Sequence, residues 1–99
     1  MITRVKEDGN YIETYNASGK KIKRAYITGD LLGHSSEIVI IKDGNYIEVY
    51  DDNLKQISKI YKKSEEFINA SGNTFTLQDG NYAETYDEKG KRISRTYSR

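Results

Sequence analysis

The sequence predicts an all-β fold built from three tandem antiparallel β-meanders, and two observations carry that expectation. First, three segments align without gaps: DGNYIETYNASGKKIKRAY from Asp8, DGNYIEVYDDNLKQISKIY from Asp43 and DGNYAETYDEKGKRISRTY from Asp79, at offsets of 35 and 36 residues. Nine of the 19 columns are identical in all three, and all nine tyrosines of the chain fall in them, a density that chance does not produce. Second, short runs rich in β-branched and aromatic residues alternate with Gly- and Asn-bearing turns.

Each unit opens on a strand: Thr3–Lys6, Ile38–Lys42 and Thr74–Gln78. The D-G-N block then supplies the positive φ of a tight hairpin turn. A second strand follows, Tyr46–Tyr50 in the middle unit. The next loop, Asp87–Gly90, matches a type I turn with a Gly bulge, and Asn16–Gly19 takes the same slot in the first unit. In the middle unit the slot is Asp51–Leu54. Leu54 stands where positive φ is wanted, so that turn is expected to be strained or different. The third strand is Gln56–Tyr61 and its equivalents. Two connectors remain, Ile27–Glu37 and Lys62–Asn73, with Leu31-Leu32 and Phe67-Ile68 in matching places that suit a short fourth strand. One repeat domain spans residues 1–99, with units at 1–35, 36–71 and 72–99.

Alternation places Val39, Ile41, Tyr46, Glu48 and Tyr50 on one face of the middle unit, and Ile38, Ile40, Ile47, Val49 and Ile57 on the other. A sheet wetted on one side shows apolar residues on one face only. The middle sheet is therefore expected to be covered on both faces.

Composition narrows the chemistry. The chain has no cysteine, which removes disulfides, thiol nucleophiles and thiolate metal sites. Its net charge of +1 is unlike that of a nucleic-acid binder. No apolar run approaches the roughly 20 residues of a membrane helix. Met1 leads into strand-like residues with no apolar leader, so a soluble, cytoplasmic protein is the expectation.

Candidate sites are few. The single histidine, His34, lies in G-H-S-S of a connector without a second His or a Cys, and reads as a polar loop residue rather than a catalytic base. Glu13, Glu48 and Glu84 each sit between two tyrosines on one strand face. Tyr hydroxyls and cross-strand Lys or Ser (Ser58 for Glu48) are the expected partners that keep such carboxylates satisfied. The D-G-N blocks lack the ligand spacing of a calcium loop. The basic third strands (Lys20, Lys21, Lys23, Arg24; Lys91, Arg92, Arg95) read as edge protection. Asn16-Ala17-Ser18 and Asn69-Ala70-Ser71 match a glycosylation acceptor pattern but read as turns. Tyr11, Tyr46, Tyr82, Tyr15, Tyr50 and Tyr86, with the three glutamates, are the residues most suited to a ligand or an interface. No catalytic residue, metal or cofactor is expected.

The succession strand, D-G-N turn, Y-x-x-x-Y-D, x-x-G-K turn, strand resembles one blade of a β-propeller of the pyrroloquinoline-quinone type. The inner hairpin of such blades also ends in an aromatic residue, Asp, a short Gly turn and Lys. Tyr26, Tyr61 and Tyr97 sit near the place of that family's blade-end tryptophan. T-Y-D-x-x-G-K is also similar to the tyrosine–aspartate repeats of bacterial toxin shells, whose period is shorter. The resemblance implies a propeller-like fold of three blades; a compact pseudo-threefold monomer, trefoil- or prism-like, is the alternative. Propellers use about four to eight blades, and the end sheets of an open array would expose apolar faces, so a homodimer completing a six-bladed ring is expected. The function implied is non-enzymatic: a structural or protein-interaction scaffold, or alternatively a carbohydrate-type binding module using tyrosines repeated around a ring. Membrane and nucleic-acid partners are not expected.

Overall fold

The computed structural model describes residues 1–62 and 66–97. It is all-β. Among the described residues eleven strands run in order: β1 Arg4–Asp8, β2 Tyr11–Tyr15, β3 Lys21–Tyr26, β4 Asp30–His34, β5 Val39–Asp43, β6 Tyr46–Tyr50, β7 Gln56–Tyr61, β8 Glu66–Ser71, β9 Thr74–Asp79, β10 Tyr82–Asp87 and β11 Arg92–Tyr97. They form three separate antiparallel sheets, β1-β2-β3, β4-β5-β6-β7 and β8-β9-β10-β11, and none of the three closes on itself. The connectors supply fourth strands, β4 and β8, and each joins the sheet that follows it.

Turn chemistry explains the register. Gly9, Gly44 and Gly80 take φ of 63°, 64° and 60°, whereas the Asn after each does not, which is the type II′ hairpin with Gly first. Asp8 therefore pairs with Tyr11, Asp43 with Tyr46 and Asp79 with Tyr82. The second turn is held by its first residue. Asn16 Oδ1 accepts from the Ser18 and Lys20 N–H groups, Asp51 Oδ1 from Asn53 and Lys55, and Asp87 Oδ1 from Lys89 and Lys91. The register then shifts beside Tyr15, Tyr50 and Tyr86.

Leu54 does not change this turn. Its φ is 60°, beside 80° at Gly19 and 83° at Gly90, and its N–H bonds the Asp51 carbonyl at 3.0 Å, as Gly19 bonds Asn16 and Gly90 bonds Asp87. The strain expected there is present, at about 1–2 kcal/mol for a residue with a Cβ. Burial opposes it: Leu54 is only 7% exposed and belongs to the apolar cluster between the first and middle sheets.

That cluster joins Ile2, Ile12 and Ile27 to Val39, Ile41 and Leu54. A second cluster joins Ile38, Ile40, Ile47 and Val49 to Phe75, Leu77 and Tyr86. Both faces of the middle sheet are thus buried, with Ile38, Val39, Ile40, Ile41, Ile47 and Val49 all at 0% exposure. Full burial of each such side chain is worth about 1.5–3 kcal/mol. The three sheets stack linearly, not about a three-fold axis, and the stacking is directional. The Glu48/Tyr50 face of the middle sheet meets the Ile12 face of the first, and the Glu84/Tyr86 face of the third meets the Ile47/Val49 face of the middle.

The two faces at the ends of the stack are largely polar, where apolar ends were expected, although Ile93 stays 55% exposed on the third sheet. Where β5 presents Val39 and Ile41, β1 presents Arg4 and Lys6. On the far face of the third sheet, Thr74, Thr76, Ala83 and Thr85 replace the middle sheet's Ile38, Ile40, Ile47 and Val49. A stack whose terminal faces are polar hides its apolar surface internally.

Candidate interaction surface

Every D-G-N hairpin carries the same constellation. The tyrosine that opens the second strand pairs across to the tyrosine that ends the third: Tyr11 with Tyr26, Tyr46 with Tyr61, Tyr82 with Tyr97. The rings meet edge to face, with centroids 5.5, 5.5 and 5.6 Å apart and planes at 78°, 80° and 84°. A cation lies over the first ring in each: Arg24 at 4.2 Å, Lys59 at 4.6 Å and Arg95 at 3.9 Å. Tyr26, Tyr61 and Tyr97 are 62%, 57% and 61% exposed. Edge-to-face pairing adds about 0.5–1.5 kcal/mol to such a pair and fixes its geometry while both hydroxyls stay wet.

Beneath each pair lies a closed ionic network. The second-strand glutamate accepts from the tyrosine two residues on, which alternation puts on its own face: Tyr15 to Glu13 at 2.5 Å, Tyr50 to Glu48 at 2.6 Å, Tyr86 to Glu84 at 2.8 Å. The stacked cations reach the same carboxylates. Arg24 bonds Glu13, Lys59 stands 3.7 Å from Glu48 and Arg95 3.2 Å from Glu84. Lys21 at 3.4 Å and Arg92 at 3.0 Å add a second cation in the outer sheets, and Gln56 takes that place in the middle. Ser58, expected beside Glu48, instead pairs across from Val49 and donates to the Glu88 carbonyl at 2.7 Å; Lys59 is the residue opposite Glu48.

Charge follows geometry. The Tyr15 hydroxyl, aided by Arg24 and Lys21, outweighs burial and holds the Glu13 carboxyl at about 2. Glu13 is covered by these neighbours on its own sheet rather than by another layer. At Glu84 burial pushes the pKa up, but Tyr86 and Arg92 together hold it below the ordinary carboxylate value. Burial, then the Glu48 carboxylate, pushes the Tyr50 hydroxyl up, and the bond to Glu13 raises Tyr15. Glu13 and Glu84 are thereby held in the ionised form and engaged by neighbours on their own sheets.

The structure therefore divides the residues singled out by sequence. Tyr11, Tyr46 and Tyr82 reach solvent. Glu13, Glu48 and Glu84 are buried, with Tyr15 and Tyr50 half-buried and Tyr86 fully so. The cross-strand partner of these last tyrosines tracks the layer: Arg4 over Tyr15 at 4.3 Å on the open face, Val39 opposite Tyr50, and Phe75 stacked on Tyr86 at 5.4 Å in the covered ones. Sequence reasoning missed Tyr26, Tyr61 and Tyr97 as surface partners, and in the cation column Arg24, Lys59, Arg95 it read Arg24 and Arg95 as edge protection and left out Lys59. The signal was present, since that column is basic in all three units.

His34 ends β4, and its Nδ1 lies 2.9 Å from the Ser35 carbonyl, not from a hydroxyl. The Ser35 hydroxyl donates to the Gly72 carbonyl at 2.6 Å and accepts from the Glu37 and Ile38 amides at 3.1 Å each. It shapes a turn between β4 and β5. Compared with family models and with curated proteins, the chain finds no match.

Proposed function

We propose that this chain is a non-enzymatic repeat module, propeller-like in the head-to-tail stacking of its three sheets, that acts as a protein-interaction scaffold. One observation carries the reading: an exposed tyrosine pair with a cation over one ring recurs at the hairpin end of every sheet, in the same geometry, above a carboxylate already saturated by its own neighbours. Tyrosines present large, rigid contact area with few rotors to freeze, which suits protein recognition. Presenting the cluster three times raises avidity without new contacts. The cytoplasmic setting expected from the sequence is compatible with this role.

The test is a phage-displayed peptide library selected against the wild-type chain and against Tyr26→Ser/Tyr61→Ser/Tyr97→Ser, with a glycan array in parallel. Peptide ligands lost in the triple variant, and weakened stepwise as single clusters are removed, are the expected result. Tyrosine-dependent glycan binding without peptide ligands would instead establish the carbohydrate reading. One contact favours that second reading, the Asn10 amide 3.5 Å from the Tyr26 hydroxyl beside an open ring face.

A further inference from the structure

We propose that each exposed tyrosine pair is an oxidative cross-linking site, at which a peroxide acting through a haem peroxidase joins the two rings as an intrachain dityrosine. The partners are Tyr11 with Tyr26, Tyr46 with Tyr61 and Tyr82 with Tyr97, directly opposed on β2–β3, β6–β7 and β10–β11. Opposed residues share a sheet face and bring their Cβ atoms to about 4.5–5.5 Å. Here the ring centroids themselves lie only 5.5, 5.5 and 5.6 Å apart. All six rings reach solvent, where an oxidant can meet them. The other three tyrosines are set apart. Tyr15 lies under Arg4, Tyr50 is half-buried opposite Val39, and Tyr86 is buried against Phe75. The coupling needs no bound partner and stands apart from the role proposed above.

The two phenols are the only protein groups the step consumes. Each gives one electron to the oxidant and its hydroxyl proton to water, leaving a tyrosyl radical spread over the oxygen and the ring carbons ortho to it. The two radicals form one bond between their Cε atoms. Each bonded Cε then loses its hydrogen as a proton while each oxygen regains one, which restores both rings and both hydroxyls. Two electrons and two protons leave in all, and hydrogen peroxide takes them up to become two waters. Coupling proceeds through the π face of each ring, so the edge-to-face pair must turn one ring about χ2, a broad torsion in tyrosine. Tyr26, Tyr61 and Tyr97, each more than half exposed, have the room to turn. A ring held this close acts at a far higher effective concentration than rings on other molecules, which favours coupling within the chain. The product ties each third strand to the second. β3, β7 and β11 each end their sheet, so the tie fastens an edge strand that hydrogen bonds hold on one side only.

The test treats the full chain at micromolar concentration with hydrogen peroxide and a haem peroxidase, with N-acetyltyrosine in a parallel reaction to show that the oxidant is active. The expected product runs as a monomer on a denaturing gel, shows dityrosine fluorescence and loses two hydrogen atoms per link by mass spectrometry. Trypsin should release Glu7–Lys20 joined to Ala25–Lys42 through Tyr11 and Tyr26. Tyr26→Phe keeps the ring and its packing but has no hydroxyl to oxidise. It should lose this linked peptide and leave the link between Tyr46 and Tyr61 intact. Tyr26→Phe/Tyr61→Phe/Tyr97→Phe should lower the intrachain dityrosine yield by about tenfold or more, because no proximate phenol remains. Far-UV circular dichroism before oxidation checks that the variants are folded, so a lost link is not mistaken for a lost fold. Covalent dimers as the main product, or intrachain links through Tyr15 or Tyr50, would overturn the proposal. So would a triple variant that links as well as the wild type, or a wild-type chain left unlinked while N-acetyltyrosine couples.

Discussion

Two turns of the same path end differently, one in Leu54 and one in Gly90, and both sit over the neighbouring sheet at equivalent places. The Thr14 hydroxyl bonds the Asp52 carbonyl beneath the first, at 2.9 Å, and the Ser58 hydroxyl bonds Glu88 beneath the second, at 2.7 Å. Asp52 and Glu88 occupy one repeat column. Below Gly90 lies Ile60, so close that a Cβ on the glycine would fall 2.5 Å from its Cγ2. The counterpart of Ile60 in the first unit is Ala25, and Leu54 packs in the cluster that contains it. Large over small at one interface becomes small over large at the other. Dense packing is preserved by moving volume across the gap between sheets, and at Leu54 the gain in burial offsets a backbone conformation that glycine would adopt freely.

The sharpest way to break this comparison is Gly90→Leu. Overpacking against Ile60 together with a left-handed leucine is expected to destabilise the chain by about 3 kcal/mol. Gly90→Leu/Ile60→Ala should recover much of that in urea unfolding, and additive effects in the double variant would refute the exchange of volume. Leu54→Gly is next. Removing a buried leucine typically forfeits about 2–5 kcal/mol, and relief of the left-handed strain returns about 1–2. A net loss of about 1–2 kcal/mol is expected in thermal melts, reduced in Leu54→Gly/Ala25→Ile. A rise in melting temperature for Leu54→Gly alone would show that strain, not packing, dominates that turn.

The ionic networks extend the contrast between covered and open layers. Glu84→Ala removes the acceptor that Tyr86, Arg92 and Arg95 share, and a loss of about 1–3 kcal/mol is expected; Glu84→Gln, which keeps shape and one acceptor, should lose less. Glu13→Ala, on the open face where water can replace the lost partner, should lower the melting temperature less than Glu84→Ala. Equal losses would mean the covering layer is irrelevant to these glutamates. The smallest effect is expected from acid. Glu13 and Glu84 titrate below the ordinary carboxylate value when folded, so the unfolded chain binds protons first as pH falls. Their contribution is complete above about pH 4.5 and is lost progressively toward about pH 2, where Glu13 itself titrates. Glu13→Gln should flatten that acid limb in a melting-temperature profile, and an unchanged limb would show that Tyr15 and Arg24 do not hold the charge.

Much of this arrangement was legible in sequence because the periodicity of the strands and the turn residues agreed. The hairpins at Gly9, Gly44 and Gly80 and the double coverage of the middle sheet followed from alternation and turn type alone. The fourth strands were only hinted at by Leu31-Leu32 and Phe67-Ile68, although Ser71-Gly72-Asn73 repeats the D-G-N pattern and forms a turn with Gly72 at φ 55°. The polar ends were written in Arg4, Lys6, Thr74 and Thr76. Yet their meaning depended on which face of each unit points outward, and the middle unit, apolar on both faces, conceals that direction. Leu54 could be recognised as a left-handed residue but not as a core residue. Its burial comes from a sheet distant in sequence.

Among the described residues all strand pairings join consecutive strands, and no hydrogen-bonded ladder spans two sheets. Contacts of low sequence separation favour rapid folding, and each meander can close before its neighbour is complete. Cooperativity between the units then resides almost wholly in two apolar seams, and the first sheet contributes to one of them whereas the middle sheet contributes to both. Native-state hydrogen exchange should therefore be graded rather than uniform, with β1–β3 opening at lower free energy than β5 and β6, the two strands protected from both sides.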